Sequence, residues 1–104
     1  MKTKYTEIFK LKKMLEEEGI AFEFRDRRTP HYEFWQIIVL REDESRLISV
    51  IEGMGTYGQE ENLLEINGCL TEEEMQDSCV KGYLTAEEVF DRIVKAVKGG
   101  KNEN

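Results

Sequence analysis

Proline, histidine and tryptophan occur once each in 104 residues, and cysteine twice. Two cysteines do not make a disulfide framework. A structural zinc site needs four close Cys or His ligands, and beyond Cys69 and Cys79 the chain offers only His31. The two cysteines match no C-x-x-C motif and read as free thiols without metal or redox chemistry, so no cofactor is expected. A nucleophilic cysteine would need a base, and nothing places His31 beside either thiol. No apolar run approaches the roughly 18 residues of a bilayer span. The opening MKTKYTEIFKLKKML is interrupted by Lys and Glu, unlike a secretory signal. These absences predict a reduced, cytoplasmic protein that avoids membranes. A length of 104 residues suits a single domain over 1–100 with a frayed tail at 101–104.

What the chain has is acid, unevenly placed. The formal net charge is −7. Residues 1–52 carry 10 Lys and Arg against 11 Asp and Glu, whereas residues 53–104 carry 5 against 11. Between 60 and 91, Glu60, Glu61, Glu65, Glu72, Glu73, Glu74, Asp77, Glu87, Glu88 and Asp91 face only Lys81. Such a surface repels phosphates and lipid headgroups, which argues against direct nucleic-acid or membrane binding. It serves solubility, or it attracts a basic partner.

Hydrophobic periodicity predicts a two-layer α+β architecture, a small antiparallel sheet of three to four strands with N- and C-terminal helices packed on one face. Ile8, Leu11 and Leu15, with Tyr5 and Phe9 alongside, recur at helical spacing, and Gly19 is placed to end that helix. Ile20, Phe22 and Phe24 then alternate with polar residues as in a half-buried strand, which Thr29-Pro30 breaks. Phe34 to Leu40 reads as a central strand covered on both sides, and Glu42 to Ser45 as the turn of a hairpin into Leu47–Ile51. The segment Leu63 to Ile66 is compatible with a strand or a helical turn. Thr71 with Glu74, and Thr85 with Glu88, are two capping boxes. The first opens a short acidic helix ending near Asp77 or Ser78. The second opens an amphipathic helix with Val89, Phe90, Ile93, Val94 and Val97 inward, stopped at Gly99-Gly100.

No catalytic constellation is visible. The Arg25, Arg27, Arg28 to His31 spacing is that of some ribonuclease helices, but Pro30 disfavours a helix there. Consecutive carboxylates such as Glu72, Glu73 and Glu74 point about 100° apart on a helix and do not converge on one ion. They complement the helix dipole instead. The glycine-rich stretch Gly53–Gly58 lacks the Gly-Lys-Ser/Thr of a P-loop. It reads as a tight connection, or as a backbone that approaches a ligand closely. In the second case Gly55, Tyr57 and Gly58 would be assisted by Arg25, Arg27, Arg28 and Trp35. Tyr32 and Tyr57 are expected as exposed contacts ahead of Trp35, which suits a core.

Three stretches, KYTEIFKLKKMLEEEGIAFEF, YGQEENLLEI and GYLTAEEVFDRI, resemble small acidic accessory proteins encoded by phages and prophages of Gram-positive bacteria. The resemblance covers less than half of the chain, carries no catalytic motif and assigns no residue a role. It implies a counter-defence setting. Two functions follow as expectations. One is a non-enzymatic, anti-CRISPR-like acidic mimic that blocks a basic nucleic-acid-binding host immune protein through Glu60, Glu61, Glu65, Glu72, Glu73, Glu74 and Asp77. The other is an oligomeric sponge that sequesters a small immune signalling nucleotide through Arg25, Arg27, Arg28, Trp35, Gly55, Tyr57 and Gly58.

Overall fold

Helix α1 (Thr6–Glu18) buries Ile8, Leu11 and Leu15 completely, as their spacing requires. It ends where a residue with positive φ is available. Gly19 adopts φ 78°, its N–H donates to the Glu16 carbonyl, and the Ile20 N–H reaches back to Leu15. That pair of bonds is a Schellman cap, and Ile20 packs on the core beyond it. The computed structural model describes residues 6–30, 33–53 and 63–98.

Among these residues five strands form one sheet in the order β1-β2-β3-β4-β5, antiparallel throughout. They are β1 (Glu23–Asp26), β2 (Phe34–Leu40), β3 (Arg46–Gly53), β4 (Leu64–Asn67) and β5 (Lys81–Leu84). The α+β class holds, but the strand count exceeds the expected three to four. Leu64–Asn67 resolves as a strand because its two apolar residues complete the inner face, with Ile66 opposite Val50. The fifth strand was not foreseen; it contains Gly82 and a Tyr83 at φ 61°, and it shows no apolar alternation.

Phe24, Ile37, Val50 and Ile66 stand in one row across the sheet. That row belongs to the face on which α1 and α3 (Ala86–Lys98) pack. The core joins Ile8, Leu11 and Leu15 to Trp35, Ile37, Val39, Ile48, Val50, Leu64 and Ile66, and to Ala86, Val89 and Ile93 of α3. Two expectations are corrected here. β2 is second in the order rather than central, and among the described residues helices cover only one of its faces. The inner stripe of α3 centres on Ala86, Val89 and Ile93, with Phe90 and Val94 half-buried at its margins.

The hairpin between β2 and β3 turns at Glu42–Ser45 as expected. Glu44 takes φ 73° and donates to the Arg41 carbonyl, while the Asp43 carboxylate accepts from the Ser45 N–H and hydroxyl. Helix α2 (Glu72–Asp77) lies in the connection from β4 to β5. No helix among the described residues is long and apolar enough to cross a membrane.

Candidate functional site

Both capping boxes exist as bonds. The Glu74 N–H donates to the Thr71 hydroxyl while the Glu74 carboxylate accepts from the Thr71 N–H, and Thr85 and Glu88 repeat the exchange. Glu74 does more than cap. Arg92 on α3 grips it with two guanidinium nitrogens, Nη1 at 2.8 Å from Oε1 and Nη2 at 2.7 Å from Oε2. The same Nη1 donates to the Cys69 carbonyl at 2.9 Å. The hydrogen bond from Arg92, together with that from the Thr71 N–H, pulls the Glu74 carboxyl down to about 2. Glu74 is therefore an anchor, and of the expected acidic residues it is the one committed to holding α2 in place.

The remaining acids of α2 face elsewhere. At 100° per residue, Glu72, Glu73 and Asp77 share the side away from Glu74 and Met75. All three are exposed, and none forms an ion pair among the described residues. Several acids on other elements are compensated: Glu87 by Lys10, Asp91 by Lys95, Glu18 by Lys98, Glu23 by Arg25 and Asp26 by Arg28. Glu65 sits on β4 between the inward Leu64 and Ile66, on the sheet face turned away from the helices. It is not part of the α2 surface. Glu60 and Glu61 lie outside the described residues.

The expected cationic set is divided. Trp35 belongs to the core beneath α1, its ring 5.6 Å from that of Phe9 in an edge-on arrangement. Arg28 lies over that ring at 5.6 Å on the helix side and also binds Asp26. Arg25 pairs with Glu23, and Arg27 donates to Gln36 on the opposite face of the sheet. Gly55, Tyr57 and Gly58, like His31 and Tyr32, lie outside the described residues.

Three features escaped the sequence reading. Glu52 on β3 is completely buried, points inward after Ile48 and Val50, and accepts the Ile8 N–H at 2.8 Å in the first turn of α1. Its second oxygen has no hydrogen-bond partner, and burial lifts the carboxyl to about 7 against the pull of that bond. Strand parity alone places it inward. Arg92 gave no signal, since its partner is 18 positions away in sequence. Behind α2 opens a cavity of about 580 Å3, bounded by Arg41, Arg46, Asn67, Cys69, Met75 and Ala96. Gly68 forms part of its wall at φ 115°, where a Cβ would come within 2.4 Å of the Leu47 carbonyl oxygen. No grouping of three or more His, Cys, Asp or Glu side chains suited to a metal occurs among the described residues. No family model, curated protein or solved structure matches the chain.

Proposed function

We propose that the protein is a non-enzymatic binding protein whose α2 carboxylates occupy a basic, nucleic-acid-binding surface of another protein. One observation carries this reading. Glu72, Glu73 and Asp77 form an uncompensated acidic side on a helix fixed by a capping box and a bidentate arginine, whereas Glu16, Glu18, Glu23, Asp26, Glu87 and Asp91 on other elements are ion-paired. Fixed, unpaired charge attracts an oppositely charged surface without first breaking internal ion pairs. The resemblance to phage and prophage accessory proteins makes a host immune protein the proposed partner.

The test separates presented charge from anchoring charge. Glu72→Gln, Glu73→Gln and Asp77→Asn together remove three charges and leave the cap intact, while Glu74→Gln would loosen the helix itself. The protein and this triple variant are immobilised and exposed to lysate of a Gram-positive bacterium at low and high salt. Basic nucleic-acid-binding proteins should be retained by the first and lost by the second, with the largest difference at low salt. Equal retention by both would end the proposal.

A further inference from the structure

The cavity behind α2 carries an inference independent of the acidic surface. We infer that it binds a small organic anion with an apolar body, seated between Arg41 and Arg46. In a chain of net charge −7, three of the six arginines, Arg25, Arg28 and Arg92, are paired with a carboxylate, and Arg27 donates to Gln36. Arg41 and Arg46 are not so paired: no carboxylate among the described residues forms an ion pair with either, and both border one cavity.

Each guanidinium is held in place by neutral acceptors. Arg41 Nη1 donates to the Arg46 carbonyl at 2.7 Å and to the Ser45 hydroxyl at 3.2 Å, and Arg46 Nη2 donates to the Asn67 amide oxygen at 3.3 Å. A guanidinium has five N–H donors, so these bonds orient the groups and leave donors for an incoming anion. Asp43, the nearby acid of the turn, is engaged by Ser45, whose side chain and N–H lower its carboxyl, with a smaller pull from the Arg41 charge, which lies beyond ion-pair distance.

The rest of the lining selects the body of the ligand. Leu47, Leu70, Met75 and Ala96 are apolar. Cys69 adds no charge, because burial pushes its thiol up although Arg41 and Arg92 pull it the other way. Volumes of a few hundred Å3, apolar walls and a few placed donors are the ordinary description of a small-molecule site. A bare inorganic anion would leave those walls unused, and a cation would meet two guanidinium groups.

The probe is 1-anilinonaphthalene-8-sulfonate, a sulfonate on an aromatic body, followed by fluorescence and by amide NMR shifts. Saturable binding at one site is expected, with shifts centred on Gly68, Leu70 and Met75. Arg41→Ala and Arg46→Ala should each weaken it about tenfold or more, as expected for loss of a charge-assisted bond. N-phenyl-1-naphthylamine, the same rings without the sulfonate, should bind at least about tenfold more weakly. Ala96→Trp leaves both arginines in place and should block the cavity by volume alone, with the circular dichroism of the fold retained. Binding unaffected by these variants, equal affinity for the neutral rings, or the same shifts from sodium sulfate alone would overturn the inference, the last marking an adventitious ion only.

Discussion

Helices α2 and α3 begin with the same four-residue signature and end differently. Thr71-x-x-Glu74 and Thr85-x-x-Glu88 make the same reciprocal pair of bonds. Yet α3 runs for 13 residues and buries Ala86, Val89 and Ile93, while α2 stops after 6 and buries none. A capping box fixes where a helix starts; the apolar spacing behind it decides how far the helix continues and whether the fold depends on it. What α2 lacks in packing it takes from its sister, since Arg92 of α3 supplies its main anchor. Helix α1 shows a third solution, with the buried Glu52 of a neighbouring strand accepting the N–H of its first turn.

The largest effect should come from the packed helix. Ile93→Ala removes a completely buried side chain and should cost about 2–5 kcal/mol, read as a shift of the urea midpoint for the whole molecule. A change confined to α3 signals would show that the two layers do not unfold together.

Next comes the cap without a box. The Glu52 carboxyl is raised to about 7 in the fold from an ordinary value of 4.5. The folded state therefore holds this proton more tightly, and its contribution is complete below about pH 4.5 and lost as pH rises through about 7. The amount is about 3 kcal/mol at 1.4 kcal/mol for each tenfold change. Glu52→Gln keeps an oxygen for the Ile8 N–H and should flatten the decline in melting temperature between pH 5 and 8. A profile identical to that of the parent would remove Glu52 from the account.

A smaller and more local loss is expected for the anchored helix. Arg92→Ala leaves Glu74 without its guanidinium and should loosen α2 by about 1.5–3 kcal/mol, seen as faster amide hydrogen exchange over Glu72–Asp77. Acid should imitate it. With the Glu74 carboxyl lowered to about 2, its stabilisation is present above about pH 4.5 and fades as pH falls toward 2. The smallest effect belongs to the box itself: Thr71→Ala should cost α2 about 1 kcal/mol in the same exchange measurement while the global melt stays put. A global shift as large as that of Thr85→Ala would erase the distinction between the two helices.

Much of the fold could be read from local chemistry. Both boxes, the Gly19 terminus and the apolar run of Phe34–Leu40 each require only a few neighbouring residues. The four residues of β5 could not be read, because Gly82 and the left-handed Tyr83 break the alternation that marks a strand. Leu64–Asn67 is too short to display a period, and only its pairing with β3 decides it. The acids of α2 were visible as composition. Which of them is spent on anchoring was not, since Glu74 meets Arg92 across 18 positions. The cavity draws on the β2–β3 turn, the start of β3, the end of β4, α2 and α3, five places that no spacing rule connects.

The side-by-side placement of α1 and α3 has a mechanical consequence. Glu7 accepts the Ala86 N–H, Lys10 pairs with Glu87, and Lys98 pairs with Glu18. The helices therefore run parallel, start beside start and end beside end. A load drawn between Thr6 and Lys98 pulls one helix from its beginning and the other from its end. The shared seam then bears shear along its whole length, and both ion pairs carry tension at once. Drawn instead between Glu18 and Lys98, the same seam opens from one end like a zip, one turn at a time and at lower force.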